Sequence, residues 1–298
     1  MSWYGDSYEP GPRINFRMII GVLIALGGVV SYLSHTSVNP VTGESQHVSL
    51  NPQQEMALGL QSAPRMAQEM GGTVNPNDPM QRIVSEVGER VLHYSDAARG
   101  PYTENFHYYL LADDRTINAF ALPGGQVFIT RALLVRLKNE SQLAGVLGHE
   151  TGHVIGRHTS EQLAKSELGQ AIATGFVIGN SNDRTGGYTS AMIAGVAQKM
   201  VGLHYSRSDE SQADQFGMQF MTQAGYTPEG MLGVMQVLLE VERTSGGHQP
   251  EFLMSHPLTR ERMDAVKAWI AEKFPNGVPG NLTSGRELNF GRSSGSDF

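Results

Sequence analysis

The chain has 298 residues and a formal net charge of −7, with 29 acidic against 22 basic side chains and no cysteine. Its length suits one large domain or two modest ones. The acidic balance and the lack of any basic run argue against nucleic acid as a partner, and the absence of cysteine excludes disulfides, thiolate metal sites and lipid attachment through cysteine.

An uncharged apolar segment lies near the N-terminus. Between Arg17 and Glu44 no side chain is charged, and residues 14–34 supply about 20 mostly apolar positions, enough for a helix to cross a bilayer. Because Arg13 and Arg17 precede the uncharged run that begins at Met18, and no Lys or Arg follows until Arg65, the positive-inside tendency predicts a cytoplasmic N-terminus. We predict a single-pass transmembrane anchor over residues 14–34. The alternative is a cleaved signal peptide, although no small-residue cleavage site follows.

The remaining chain divides by composition and periodicity. Residues 1–13 are predicted to be disordered, residues 35–50 to be a linker, and residues 275–298, rich in Gly and Ser, to be a disordered tail. Apolar periodicity and capping residues predict helices at 51–70, 77–94, through 148–158 and beyond, 190–204, 208–224, 228–244 and 258–273. Short apolar runs and a Pro-Gly-Gly turn predict strands at 106–112, 117–122 and 125–130, and an exposed loop is predicted at 180–190.

The segment GHETGHVIGRH, residues 148–158, contains three of the ten histidines of the chain. His149 and His153 are four positions apart, so a helix places both imidazoles on one face, where both can reach one metal ion. Glu150 follows the first histidine and can take a proton from a metal-activated water without binding the metal itself. In an otherwise apolar helix, this spacing predicts one Zn²⁺ per chain rather than two solvated histidines.

A catalytic zinc needs a third protein ligand, and two candidates exist. His158 lies five residues after His153, and a continuing helix would turn it about 140° away, which favours a supporting or surface position. Glu210 and Asp214 are four apart, so a second helix would present both carboxylates on one face. We predict Glu210 as the third ligand and Asp214 as the acceptor of a hydrogen bond from a ligand imidazole.

Several blocks together resemble the zinc metallopeptidases of family 48. They read NAFALPGGQVFIT, HETGHVIGRH, YSRSDESQADQFG and SHPLTRERM, and the match spans about residues 50–270. The third ligand of that family is the glutamate of an E-x-x-x-D motif, which corresponds to Glu210 followed by Asp214. The resemblance implies an α+β fold, in which a mainly helical zincin core of the gluzincin type with a small β-sheet occupies residues 51–274 after an N-terminal transmembrane helix.

The resemblance also implies how substrate would bind. The strand formed by Ala119, Phe120, Ala121 and Leu122 corresponds to an edge strand of the family, along which an unfolded or extended polypeptide would pair through its main chain. Such pairing tolerates many substrate sequences, since the backbone supplies the contacts.

Catalytic roles follow for residues around the metal. Glu150 is predicted to act as general base, and His256, in the segment SHP, to stabilise the oxyanion, with Tyr205 as a weaker candidate. Arg207 and Arg262 are predicted partners for the carboxylates behind the ligands.

Two classes of function remain. The first is a membrane-anchored, zinc-dependent endopeptidase acting on envelope proteins, anchored in the inner (cytoplasmic) membrane with its catalytic domain on the periplasmic side. The second is a zinc-stabilised chaperone or assembly factor with little proteolytic turnover. Glu150 favours the protease, because a pure binding module needs no general base.

Overall fold

The computed structural model describes residues 16–180, 204–246 and 249–290. The helices are α1 (Phe16–Ser34), α2 (Pro52–Glu69), α3 (Pro79–His93), α4 (Arg131–Leu134), α5 (Glu140–Ile155), α6 (His158–Asn180), α7 (Arg207–Gln223), α8 (Glu229–Thr244), α9 (Glu251–Ser255) and α10 (Arg260–Lys273). The strands are β1 (Thr36–Val38), β2 (Ser45–His47), β3 (His107–Leu111), β4 (Ala119–Leu122) and β5 (Gln126–Thr130). The predicted α+β class, a helical core with a small sheet after an N-terminal apolar helix, is confirmed.

Local sequence signals fix where the helices begin. The side chain of Asn51 accepts the backbone N–H of Gln54 at 2.9 Å, and the Gln54 side chain accepts the backbone N–H of Asn51 at 2.9 Å. This reciprocal pair starts α2. At the start of α5, the Asn139 side chain accepts the backbone N–H of Gln142 at 3.1 Å and caps the helix.

The larger sheet has the strand order β3-β5-β4. The central strand β5 pairs in parallel with β3 and antiparallel with β4. The turn from β4 to β5 uses Gly124 and Gly125, whose φ angles of 81° and 109° favour glycine. β4 therefore lies at one edge of this sheet. The Tyr108 hydroxyl of β3 lies 2.9 Å from Thr151 Oγ1 of α5, which fixes the helix against the sheet.

The N-terminal helix α1 is the one helix in the described part of the chain that is long and apolar enough to cross a membrane. It covers most of the predicted anchor at 14–34, whose first two residues lie outside the described ranges. Three further predictions also lie outside the described ranges: the disordered residues 1–13, the helix at 190–204 up to residue 203, and the loop at 180–190 except for its first residue.

The helix that the sequence predicts through 148–158 is interrupted, and that prediction is wrong. α5 ends at Ile155, Arg157 has a φ of 58°, and α6 begins at His158. A non-glycine residue in the left-handed region reverses the chain direction locally. Gly156 makes room for this turn, because a Cβ there would lie 2.4 Å from the His158 ring.

The predicted linker at 35–50 is instead ordered, as the hairpin β1–β2 packed on the end of α5. The buried Asn39 side chain donates to the carbonyl of Ile155 at 2.7 Å, and Gln46 donates to the carbonyl of Gly156 at 2.5 Å. The last carbonyls of a helix lack partners within the helix. The hairpin supplies hydrogen-bond donors for the last carbonyls of α5. These bonds explain why a segment with few apolar side chains is ordered.

The predicted disordered tail is wrong for residues 275–290, while residues 291–298 lie outside the described ranges. The backbone N–H groups of Glu140 and Ser141, at the start of α5, donate to the carbonyls of Arg286 and Ser284 at 3.0 and 2.9 Å. Leu288 is only 5% exposed in the core. The tail therefore satisfies first-turn donors of α5 that the helix cannot satisfy itself.

Candidate active site

Small residues bring α5 and α7 into close contact. A Cβ built on Gly148 would lie 3.1 Å from the carbonyl oxygen of Gly217, and one on Gly152 would lie 3.1 Å from the carbonyl oxygen of Ala213. Side chains larger than hydrogen at these two positions of α5 would separate the helices. The contact between the backbones sets the carboxylates of α7 against the histidines of α5.

Four side chains meet in this contact: His149, His153, Glu210 and His256, whose nearest ligand atoms all lie within 4.8 Å of one another. The Nε2 atoms of His149 and His153 are 3.1 Å apart, and His153 Nε2 lies 3.3 Å from Glu210 Oε1. His149 Nε2 lies 3.7 Å from Glu210 Oε2. Each of these side chains is almost completely buried.

The spacing of these atoms fits a metal ion. Ligand atoms at about 2.0–2.1 Å from a tetrahedral zinc lie about 3.3–3.4 Å from each other. The separations of 3.1 and 3.3 Å among His149, His153 and Glu210 match that edge length. Two imidazoles and a carboxylate are also a donor set that zinc prefers.

Asp214 orients the first histidine. Its Oδ1 atom lies 3.0 Å from Nδ1 of His149 and accepts a hydrogen bond from it. A proton on Nδ1 leaves the Nε2 lone pair of His149 directed into the cluster, the usual arrangement behind a metal-binding imidazole.

A chain of hydrogen bonds orients the second histidine. The Gln212 side-chain amide donates to Glu44 at 2.7 Å, so its oxygen accepts from Nε2 of His158 at 2.8 Å. His158 must then accept at Nδ1, where Nδ1 of His153 donates at 2.9 Å. The network assigns the proton of His153 to Nδ1 and leaves the Nε2 lone pair directed into the cluster. His158 thus supports His153 from the side away from the cluster. The turn at Arg157 brings it there, whereas the prediction of a supporting position assumed a continuous helix.

Arg262 pairs with two of the three carboxylates of α7, those of Glu210 and Asp214. Its Nε and Nη2 atoms each donate to an Asp214 oxygen at 2.7 Å, and Nη1 lies 2.5 Å from Glu210 Oε2. Burial alone would raise the pKa of Asp214, but hydrogen bonds from His149 and Arg262 hold that pKa below its ordinary value. Arg207, by contrast, is exposed in the first turn of α7, and its predicted pairing with these carboxylates stays a prediction.

Glu150 is poised as an acceptor. Its side chain is completely buried, and neither carboxylate oxygen has a hydrogen-bond partner within the described ranges. Its Oε1 atom lies 3.7 Å from Nε2 of His256, beyond hydrogen-bond distance. Burial raises the pKa of the Glu150 carboxyl, more than the nearby imidazoles lower it. A buried carboxylate with both oxygens unpaired can receive a proton from a water.

His256 lies between the two glutamates. Its Nδ1 atom is 2.8 Å from Glu210 Oε1 and 3.3 Å from His149 Nε2. This position suits the predicted oxyanion role and equally a fourth ligand, which the sequence reasoning missed because SHP lies 46 residues beyond Glu210. The two roles exclude each other at any moment, because four protein ligands leave no open position at a tetrahedral zinc.

Two aromatic rings cover the cluster. The Tyr205 ring centre lies 4.0 Å from that of His153 and 5.2 Å from that of His256, and the Tyr205 hydroxyl bonds Thr159. Phe252 stacks on His256 at 4.6 Å. Because the Tyr205 hydroxyl is bonded to Thr159, its role as an oxyanion donor stays a prediction.

The predicted substrate strand corresponds to β4. Ala119, Ala121 and Leu122 are buried, and the half-buried Phe120 stacks on Phe128 of β5 with ring centres 4.9 Å apart. β4 packs against α5, which carries His149 and His153. Its place at the sheet edge agrees with the expected position, and substrate binding there stays a prediction.

Comparison with known proteins identifies the family. The model of Peptidase family M48 matches residues 80–270. The mitochondrial metalloendopeptidase OMA1 of Schizosaccharomyces pombe is 29% identical over 269 residues, covering 89% of this chain and 76% of that protein. The beta-barrel assembly-enhancing protease of Escherichia coli is 31% identical over 258 residues, covering 83% of this chain and 51% of that protein.

A third relative extends the comparison. The metalloprotease YcaL of Escherichia coli is 29% identical over 167 residues, 56% of this chain and 62% of that protein. This chain spans about half the length of the beta-barrel assembly-enhancing protease. The family model covers well over half of the chain, and the resemblance carried by the sequence motifs is confirmed: the chain belongs to peptidase family M48.

Proposed function

We propose that this chain is a membrane-anchored, zinc-dependent endopeptidase that cleaves extended polypeptides in envelope protein quality control. The observation that best supports this proposal is the buried carboxylate of Glu150, which has no hydrogen-bond partner among the described residues, beside the cluster of His149, His153 and Glu210. A site built only to hold a metal needs no such base. The names of the relatives, a metalloendopeptidase and a beta-barrel assembly-enhancing protease, agree with this class.

In this proposal, each residue of the site has its own role in peptide hydrolysis. Zinc held by His149, His153 and Glu210 would act as a Lewis acid and lower the pKa of a water in the site. Glu150 accepts the proton of the attacking water and passes it to the amine that departs. His256 donates to the oxygen of the peptide carbonyl as negative charge develops on it. An extended substrate paired along the edge of β4 would place its main chain beside α5.

The anchor in this proposal is α1. It is uncharged after Arg17, and many of its large apolar side chains are exposed, Leu26 at 53% and Val30 at 65%. By the positive-inside tendency, the catalytic domain lies on the periplasmic side of the inner membrane. Protease added outside the cytoplasmic membrane should then digest the domain in intact spheroplasts. Full protection, with digestion only after lysis, would reverse the orientation.

A chaperone or assembly factor with little turnover is the second candidate. It is supported by the burial of the whole cluster, since His153 is 1% and Glu150 0% exposed. A substrate reaches such a site only after the covering rings move. The experiment that separates the two functions uses the purified full chain in detergent, a quenched unfolded peptide and casein. Chelator-sensitive cleavage supports the protease, whereas suppression of aggregation without cleavage supports the chaperone.

The ligand set gives a separate prediction. Glu210→Gln removes a charged ligand and should weaken zinc binding strongly. His158→Ala removes only the group that orients His153, so one zinc per chain should remain, with an affinity lowered by about 10–100-fold. Competition with a chromophoric chelator measures both affinities, and elemental analysis measures the zinc content. Zinc loss in His158→Ala together with full retention in Glu210→Gln would show that the third ligand is misassigned.

Gln212→Glu offers a further check on the hydrogen-bond chain. A carboxylate beside Glu44 cannot donate to it, so the contact between the hairpin and α7 is lost, while an acceptor for His158 remains. Zinc affinity should therefore fall less in Gln212→Glu than in His158→Ala. An equal or larger fall would contradict the assigned proton positions.

A further inference from the structure

The helix that follows the metal-binding motif runs back along the N-terminal helix. A Cβ built on Gly28 of α1 would lie 2.5 Å from Cβ of Ala171 on α6, so the two backbones nearly touch there. Just beyond the end of α1, the Ser37 hydroxyl accepts a hydrogen bond from Arg157, the residue that precedes α6, at 3.2 Å. Later residues of α1 thus face earlier residues of α6. The two helices are antiparallel, and their contact is the close packing that small residues permit between helices.

Charge divides α6 into two halves. Its charged side chains are Glu161, Lys165 and Glu167, and the sequence from Leu168 to Asn180 has none. The charged half lies beside the end of α1, because α6 begins next to Ser37 and its charged side chains come first along the helix. The charge-free half therefore runs beside the charge-free length of α1 that precedes Gly28.

We propose that α6 enters the lipid bilayer from Leu168 onward, beside α1, so that the chain contacts the membrane through two antiparallel helices. This inference rests on the proposed anchor. The bilayer is the occupant that the observations favour, because it already surrounds α1 at the same level and because Ile172 is 46% exposed beside it. A helix satisfies the backbone groups of its inner turns, so these turns of α6 enter lipid without unpaired hydrogen bonds, while the last carbonyls before Asn180 need partners from water or protein.

The geometry sets the depth. Residues 168–180 extend for about 18 Å at 1.5 Å per residue, more than half of a hydrocarbon core about 30 Å thick. α6 begins at His158, behind the metal cluster, so at most about 15 Å of helix separates the candidate site from the lipid boundary. About five residues of extended chain cover that distance. The substrates that this arrangement favours are extended segments of membrane proteins close to the point where they leave the bilayer.

The absence of cysteine makes the test direct, because each introduced cysteine is the only one. Leu26→Cys on α1, Ile172→Cys on the charge-free half of α6 and Lys165→Cys on its charged half each carry one nitroxide label. The side chain of Lys165 is 45% exposed and the residue Ile172 is 46% exposed, so the two positions are matched. The full chain is reconstituted into vesicles of phosphatidylcholine and phosphatidylglycerol, and collisions with oxygen and with a water-soluble nickel chelate are measured.

The expected result is frequent collision with oxygen and rare collision with nickel at Leu26 and Ile172, and the reverse at Lys165. Nickel access at Ile172 with oxygen access at Leu26 overturns the insertion of α6 and leaves the anchor intact. Nickel access at both positions overturns the anchor as well. Rare collision with both reagents at Ile172 means burial against protein and also overturns the proposal. Thr174→Cys, exposed on the same half, gives the same readings if Ile172→Cys unfolds.

Discussion

Glu150→Gln is expected to lower the rate of peptide cleavage by about 10²–10⁴-fold while zinc content stays unchanged. Glutamine has nearly the volume of glutamate, so the buried position keeps its packing, but an amide cannot accept the proton of a water at neutral pH. The unpaired state of both Glu150 oxygens means that the substitution breaks no hydrogen bond within the described ranges. The loss therefore reports proton transfer rather than misfolding.

The measurement is the single-turnover rate on a quenched unfolded peptide, with zinc content determined on the same samples. Glu272→Gln, the same substitution on an exposed position of α10, is the matched control and should cleave at the wild-type rate. Equal rates in wild type and Glu150→Gln would assign the cleavage to a contaminant or to another base. Loss of zinc in Glu150→Gln would instead make Glu150 a ligand.

The sequence predicts the parts of the site that depend on helical periodicity. The spacing of four between His149 and His153, and between Glu210 and Asp214, places each pair on one helix face, and the structure brings the two faces together. Glu210 lies far from His153 in the sequence, but it could still be predicted as the third ligand, because a catalytic zinc needs a third protein ligand and few residues of the right type were candidates. The assignment of these groups as ligands remains a prediction.

The sequence does not reveal that the hairpin β1–β2 and the tail are ordered, because their order depends on hydrogen bonds to the backbone at the ends of α5. A helix end needs donors or acceptors from any segment that can reach it, and hairpin β1–β2 and the tail supply them to α5 through Gln46 and through the carbonyls of Ser284 and Arg286. Composition gives no sign of this, since both segments are polar and rich in turn formers. The sequence does name Arg262 together with Arg207 as a partner of these carboxylates, but it gives no means of choosing between the two arginines.

The turn between α5 and α6 depends on one buried ion pair. Arg157 Nε donates to Glu55 Oε1 at 3.0 Å, and its Nη2 donates to the carbonyl of Leu50 at 2.7 Å. Tyr102 donates its hydroxyl to the other oxygen of Glu55. Both charged side chains are buried, since only 2% of the Arg157 side-chain surface and 1% of the Glu55 side-chain surface is exposed to solvent. The pair joins α2 to the residue that directly precedes His158, so it fixes the turn behind the histidine cluster.

Arg157→Met is expected to lower the free energy of unfolding by about 3–5 kcal/mol, because it leaves the Glu55 carboxylate buried without its cation. Methionine has a similar length and takes the same unfavourable φ of 58° as arginine, so backbone strain is unchanged. Urea unfolding of the full chain in detergent, followed by circular dichroism, measures the loss. A loss below about 1 kcal/mol, the range of exposed pairs, would mean that water reaches Glu55.

The double variant Glu55→Met with Arg157→Met decides whether the loss comes from the stranded charge. With both charges absent, no ion is buried without a partner, and the double variant should be more stable than Arg157→Met alone even though Tyr102 loses its acceptor. The two single losses should then add to clearly more than the loss in the double variant. If instead the sum of the two single losses equals the loss in the double variant, Arg157 acts through its hydrogen bond to the Leu50 carbonyl. The turn before His158 would then be held by that backbone contact rather than by the ion pair.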